Sequence, residues 1–434
     1  MATAPEISEK DKYFLPVVYR WFKEEPLVAV RGRGALLIDS KGREYIDLLA
    51  GHAANYVGHC HPKVVEAIKS QAEKLVFTTT DFHTVPAAML AEKIAGITPP
   101  YMNKAYFTSA GAEAVEVALY LSRKATKRYE FICLYGAFHG RTYGARSAVG
   151  WHAYKKSFGP MVPGFTHIPW YYCYRCIFKL QFPDCDLLCA KVIEDVLKFQ
   201  TCGDVAAFLA ESMLGAAGHI PAPPGYFEEV KKILDENEIL FIADEVMSGG
   251  GRTGKIWCIE HYDVKPDMIT FGKFIGGGMP LSGVVASDEV AEAYGILDYF
   301  TTFGCNPVAA AAGNAVVDII LEEKLADRSA ELGKYFMKGL NDLREGHKLI
   351  GDVRGKGLFI GVELVRDRET KEPAVEESTK FRELAREGGV IVAAGWGWYK
   401  NTMRIHPPAV ITREQIDKVL EVFDDSLKEV ERGL

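Results

Sequence analysis

The chain has 434 residues, 48% of them hydrophobic and 25% charged, which is ordinary globular composition at a length that favours two domains. Its formal net charge of -7 comes without long single-sign runs, which argues against nucleic acid or an anionic membrane as the main partner. Of the nine cysteines, four fall at Cys173, Cys176, Cys185 and Cys189, and the scattered remainder fits a reducing, intracellular setting; the expected location is cytoplasmic.

In chain order, the N-terminal "MATAPEISEKDKYFLPVVYRW" carries acids where a signal peptide wants bases, and no later run approaches a membrane span. "VAVRGRGALLIDSKGREYIDLLAG" alternates, turns at "SKG" and alternates again, as short strands do. "HPKVVEAIKSQAEKLV" then repeats apolar residues at helical spacing. From about residue 85 to 320, helices alternate with the brief apolar runs "EFICLY", "VAAFLAE", "ILFIADE", "DMITF" and "LSGVVAS". Such runs suit strands buried on both faces, so the expected fold is α/β: a mostly parallel sheet flanked by helices. After residue 325, amphipathic helices in "ADRSAELGKYFMKGLNDLRE" and "TREQIDKVLEVFDDSLKEV" are separated by the strands "LFIGVELV" and "GVIVAAG", a smaller α+β unit. The expected division is an N-terminal segment, 1–65, packing with a C-terminal small domain, 326–434, beside a large domain, 66–325.

Ligands in parallel sheets bind beyond the carboxyl ends of the strands, where this chain places Glu211, Asp244, Glu245 and Lys273. In "DMITFGKFIGGG", Lys273 follows a core strand and precedes three glycines. A snorkelling surface lysine and a desolvated, reactive amine both fit that stretch alone. Asp244 ends the preceding apolar strand, where a carboxylate is costly without a partner. It reads either as a turn cap or as the acid that keeps a cofactor's ring nitrogen protonated. In "YFTSAGAEAVEVALYLSRKA", the small residues Ser109 to Ala112 precede an amphipathic helix and let backbone N–H groups approach an anion, with Ser109 also a candidate helix cap. Glu113 and Glu116 complement the helix dipole. "LYGAFHGRTYGA" sets Phe138 and His139 in a Gly-flanked loop, fit either for stacking on a planar group or for core packing. "CYRCIFKLQFPDCDLLC" has the ligand type of a structural zinc site, although the gap between its halves is short; a disulfide or plain buried thiols fit as well.

Together these motifs resemble the class III pyridoxal-phosphate aminotransferases, the fold type I subgroup that includes ornithine and 4-aminobutyrate aminotransferases. The resemblance runs from "VRGRGALLIDSKGREYIDLLAG" to "MRIHPPAVIT". It implies pyridoxal 5'-phosphate as cofactor, Lys273 as the lysine that forms the internal aldimine, and Asp244 as the carboxylate on the pyridine nitrogen. It places Val246 and Phe138 on the two ring faces, and Gly111 and Ala112 in the backbone that cradles the phosphate. "TTFGCNP" matches a segment whose threonine, here Thr302, reaches the phosphate of a neighbouring subunit, which implies a homodimer with shared active sites. Arg404 matches an arginine that binds the substrate carboxylate, and Glu211 a glutamate that pairs with it when an ω-amine is bound; a purely structural ion pair fits those two residues equally. No metal is implied for the catalytic site. The chain departs from the family pattern at Met247, Ala110, Ser212 and Gly250, which points away from any particular named aminotransferase.

The implied reaction moves an amino group between an amino acid or ω-amino compound and a 2-keto acid such as pyruvate or 2-oxoglutarate. Racemases, epimerases and a few lyases share the scaffold, and "GDVRGKGLFIGVELVRDRETKEPA" does not separate them. A non-catalytic relative would have lost the lysine or the aspartate, and both are present. For the substrate pocket, Asn55, Tyr56, Trp396 and Trp398 are candidates, each with a packing role as the equal alternative.

Overall fold

The computed structural model describes residues 27–295 and 298–433. The N-terminal stretch read above for targeting signals, and the first part of the 1–65 segment, lie outside these residues.

Seven strands form the central sheet, in the order Met102–Thr108, Ser282–Ser287, Met268–Phe271, Leu240–Asp244, Val205–Glu211, Glu130–Leu134, Phe165–Ile168. All five apolar runs picked from the sequence are in it. The pairs around Leu240–Asp244 and Glu130–Leu134 are parallel, and Ser282–Ser287 runs antiparallel to both of its neighbours. Val205–Glu211 and Met268–Phe271 are buried along their whole length, which is why their sequences are continuously apolar rather than alternating. Helices such as Gly111–Thr126 and Tyr226–Glu236 cover the sheet with apolar faces, giving the expected mostly parallel, helix-flanked α/β architecture.

Outside it, besides the short pair Met213–Leu214 and Ile220–Pro221, lie two four-stranded sheets. One joins Ala29–Arg33, Leu36–Asp39 and Glu44–Asp47 to Val390–Ile391, and the other orders Ile350–Lys356, Phe359–Leu364, Thr402–Ile405 and Ala393–Trp396. The single run "GVIVAAG" therefore serves two sheets: Val390 pairs in parallel with Ile46, whereas Ala393 pairs antiparallel with Arg404. Ala35, Ile46 and Leu48 share one apolar core with Phe336, Phe381 and Phe423 from the C-terminal helices. Among the described residues, no helix is long and apolar enough to cross a membrane.

The cysteine stretch forms the loop between the edge strand Phe165–Ile168 and helix Leu188–Phe199, with Cys189 in the first turn of that helix. Cys173, Cys176, Cys185 and Cys189 border a small cavity of 20 Å³ among Trp170, Phe178 and Phe182. All four are free thiols, and no group of three or more metal-ligating side chains is gathered among the described residues. Burial, reinforced by the neighbouring thiols, pushes Cys173 up to about 11 and Cys189 up to about 12. The loop is tied to the second small sheet through buried Glu363, which accepts bonds from Tyr172, Arg175 and Arg354.

Candidate active site

Register puts three polar residues side by side at the carboxyl ends of parallel strands. Asp244 lies opposite Glu211 on one neighbouring strand and opposite Thr270 on the other. Three residues past Thr270, Lys273 opens a short 3-10 turn, Lys273–Gly276, with a φ of 43°. A lysine in the left-handed region is strained, and such strain is held where packing on every side over-determines it. Here Phe274 and Ile275 are buried, and Gly277 fits tightly: a Cβ there would come within 2.9 Å of Val64 Cγ1.

The side chain of Lys273 enters a cavity of 400 Å³ that is also lined by Gly111, Ala112, Phe138, His139, Arg141, Glu211, Ala216, Asp244, Val246 and Met247. Its volume is in the range of small-molecule sites. Burial pulls the Lys273 ammonium below the usual lysine range; Asp244 and Glu211 oppose this, and the positive charge of Arg404 adds to it. Asp244 is almost fully buried and receives three bonds: His139 Nδ1 at 2.7 Å, the Val246 N–H at 3.0 Å and the Thr270 hydroxyl at 3.1 Å. His139 thus spends one ring nitrogen on the site's own aspartate, while its buried Nε2 has no hydrogen-bond partner among the described residues.

Helix Gly111–Thr126 points its N-terminus at the cavity. Its cap position is Ala110, with no side-chain cap, so Ser109 does not cap it; the Ser109 N–H instead donates to Glu113 at 2.9 Å. That leaves the first backbone N–H groups of the helix facing the cavity, as an anion site requires. Glu116 serves the next helix, accepting from the N–H groups of Gly144 and Ala145 at 2.9 and 3.0 Å. Gly111 is needed for space: a Cβ there would sit 2.7 Å from Val246 Cγ1.

Glu211 is buried, and its oxygens accept from the backbone N–H groups of Phe138 at 2.9 Å and Gly215 at 2.8 Å. Burial pushes its carboxyl up to about 7 despite those bonds and the nearby His139. Arg404 lies in the second small sheet, nearly buried, with its guanidinium 4.4 Å from the centre of the Trp396 ring. Its charge, together with that of Lys273, helps burial pull His52 down to about 4. Thr302 is exposed and does not line the cavity of its own chain.

Of the pocket candidates, Tyr56 proves to be a packing residue, fully buried with its hydroxyl 3.0 Å from both the Leu325 carbonyl and Ser329. Asn55 lies 3.3 Å from the ring of His59. Trp398 packs on Trp151 and Trp170, with ring centroids 5.4 and 5.5 Å apart. Three cavity residues have no role in the sequence reading: Gly140, Arg141, whose guanidinium lies 5.9 Å from the Phe138 ring centre, and Ala216. Arg141 stands two residues beyond His139 in the same Gly-flanked loop, and that position was the available signal; a lone alanine offers none.

An amine and a carboxylate on neighbouring strands, with a helix N-terminus across a cavity walled by an aromatic ring and a branched side chain, define a site for a planar, anionic aldehyde cofactor. The comparisons agree: the chain belongs to the class-III aminotransferase family, whose pattern matches residues 18–427. It is 42% identical over 410 residues to a leucine/methionine racemase of Thermococcus litoralis, covering 94% of this chain and 92% of that one. It is 36% identical to an acetylornithine aminotransferase of Caldanaerobacter subterraneus, covering 98% of this chain and 99% of that one. The fold superposes on the crystal structure of an (S)-enantioselective omega-transaminase from Thermomicrobium roseum with a TM-score of 0.92, at 33% identity and 99% coverage of both chains. The aminotransferases of this family use pyridoxal 5'-phosphate to pass an amino group between an amino donor and a keto-acid acceptor.

Proposed function

We propose that this chain is a pyridoxal-phosphate-dependent transaminase acting between an amino acid or ω-amino compound and pyruvate or 2-oxoglutarate, with Lys273 and Asp244 as its catalytic pair. The observation that carries the reading is the placement of both groups on one cavity, at matched strand ends, with three hydrogen bonds fixing the carboxylate. When bound, the cofactor supplies an electron sink for the charge left on the substrate carbon as its proton departs.

The protein supplies the rest. Lys273 is the amine that would hold the cofactor, and burial, which makes its ammonium easier to deprotonate, suits it to move the proton of the substrate's amino-bearing carbon. Asp244, oriented by His139, Val246 and Thr270, is the carboxylate that would keep the ring nitrogen protonated. The N–H groups at Gly111 and Ala112 would hold the cofactor's phosphate, and Phe138 and Val246, which line the same cavity, would hold its ring. Arg404 binds a substrate carboxylate as a bidentate partner. Glu211, bonded to the backbone on two sides, sets the wall beneath Phe138 and is the group that would offset Arg404 when an ω-amine is bound.

The working unit in this reading is a homodimer. The Phe77 and Phe303 rings meet at a tilt, their centroids 5.0 Å apart, while Phe303, Phe82 and Val85 are 61%, 68% and 74% exposed, apolar surface that a second copy would cover. Thr302, beside Phe303, would then reach the neighbour's phosphate. A cytoplasmic location and a division of the chain near residues 65 and 325 belong to the same proposal; the free cysteines and the core shared between residues 35–48 and the C-terminal helices support them.

One observation favours a second reading, amino-acid racemisation: the 42% identity to a leucine/methionine racemase. Incubation of a single-enantiomer amino acid with pyruvate or 2-oxoglutarate separates the two. A new amino acid made from the keto acid establishes transfer. Loss of optical activity without one establishes racemisation.

A further inference from the structure

Arg252 is fully buried, and both of its side-chain hydrogen bonds end on backbone carbonyls, Pro407 at 2.8 Å and Ala53 at 3.2 Å. Its guanidinium lies 5.0 Å from the centre of the Tyr56 ring, and burial pulls it down to about 10. Taking a guanidinium out of water with carbonyls and a ring for company is costly, and a well-packed apolar side chain of similar volume would fill the space without that cost. What the charge does there follows from the two carbonyls it holds. Ala53 closes the turn Ala50–Ala53, whose four residues all lie in the left-handed region, with φ of 44°, 60°, 57° and 73°. Only Gly51 adopts that region freely, so contacts from outside must hold the other three.

That turn leads to Arg404. The His52 ring meets Trp396 edge-on with centroids 6.0 Å apart, and the Arg404 guanidinium lies 4.4 Å from the centre of the Trp396 ring. Pro407, the other acceptor, is three residues past Arg404. The two stretches are also bonded to each other, from the His406 N–H to the Leu48 carbonyl at 3.0 Å and from the Ala409 N–H to the Tyr56 carbonyl at 2.8 Å. Arg252 itself stands eight residues beyond Asp244, in a loop without slack: a Cβ at Gly251 would come within 2.8 Å of Tyr56 Oη. One guanidinium therefore reaches Arg404 by two routes, through the left-handed turn and through Pro407. We propose that Arg252 is a positioning residue, whose forked guanidinium ties the turn and the strand of Arg404 to the loop after Asp244 and so sets Arg404 relative to Lys273 for carboxylate-bearing substrates. This rests on the reading of Arg404 given above. A lysine cannot take over, because an ammonium is a point donor on a flexible stem, whereas a guanidinium reaches two carbonyls from one rigid plane.

The test titrates the tryptophan emission of the cofactor-loaded enzyme with propionate, an unreactive carboxylate, in the parent, Arg252→Lys and Arg404→Lys; Trp396, beside Arg404, is the reporter. Loss of one charge-assisted bond at a misplaced Arg404 predicts a Kd about tenfold higher in Arg252→Lys. With pyruvate as acceptor, the KM of that variant should rise by the same factor while its kcat stays within about threefold of the parent and its cofactor survives gel filtration. Loss of kcat and cofactor retention together would mark a purely structural role and overturn the inference. Parent-like propionate binding in Arg404→Lys removes the carboxylate site itself, and the inference with it. Parent-like binding in Arg252→Lys alone overturns the inference and leaves that site standing. Should Arg252→Lys not fold, hydrogen exchange of the parent decides. Peptides covering residues 48–56, none of which lines the Lys273 cavity, should exchange more slowly with propionate bound, and unchanged exchange sinks the proposal.

Discussion

Asp244→Asn removes one charge and almost no volume, so it isolates what the carboxylate contributes. The asparagine oxygen can still accept from the Val246 N–H and the Thr270 hydroxyl, which lie 3.0 and 3.1 Å from one carboxylate oxygen. Its NH2 group then faces His139 Nδ1, 2.7 Å from the other oxygen, and the imidazole must change tautomer to accept. The fold should survive, because only that one bond has to be rebuilt. What is lost is the ion pair with a protonated ring nitrogen. Unit charges about 4 Å apart attract by about 4 kcal/mol at an effective dielectric constant of about 20. If most of that is realised only as charge flows into the ring, kcat falls by about 10³-fold. The assay is steady-state transamination at saturating donor and acceptor, with cofactor retention after gel filtration measured on the same sample. A variant that keeps its cofactor and stays within about fivefold of the parent kcat would refute the electrostatic argument.

Gly111→Ala should weaken cofactor binding about tenfold or more, because its Cβ would meet Val246 Cγ1 at 2.7 Å and overpacking of this kind costs about 1–3 kcal/mol; an unchanged Kd in a titration of the apoenzyme contradicts this. Phe303→Asp should shift the protein from dimer to monomer in sedimentation velocity, since it buries a charge in the exposed Phe77–Phe303 face; an unaltered dimer removes that face from the interface. Burial, with Lys155 adding to it, pulls His167 from 6.5 down to about 4, so between those values the unfolded chain binds a proton that the folded one refuses. Stability contributed there is complete above pH 6.5 and is lost as pH falls toward 4. His167→Asn should therefore show a smaller drop in Tm between pH 7 and pH 5 than the parent, and equal drops argue against the assignment.

The proposed catalytic pair was legible because burial on both faces leaves a strand so uniformly apolar that a charged residue at its end stands out. "ILFIAD" and "DMITFGK" share that pattern, and the parallel register of Asp244 with Thr270 follows from the sheet class. Features set by distant contacts were not legible. Ser109 reads as a helix cap by residue type, yet the helix starts two residues later and Glu113 takes its N–H. Glu116 has the spacing of a dipole partner but caps the neighbouring helix across the fold. Tyr56 sits in a loop of candidate pocket residues, while its ring is buried against Leu325 and Ser329, some 270 positions away. "GVIVAAG" gives no local sign that it divides between two sheets. The apolar cluster that holds Ala216 draws on residues 138, 151 and 398, which no periodicity connects.

Borohydride reduction of the yellow holoenzyme, followed by proteolysis and mass mapping, tests the covalent role of Lys273 most directly. The expected result is one phosphopyridoxyl adduct per chain, on the peptide that contains Lys273, and none in Lys273→Ala. An adduct on another lysine, or a Lys273→Ala protein that keeps both its colour and its turnover, contradicts the account.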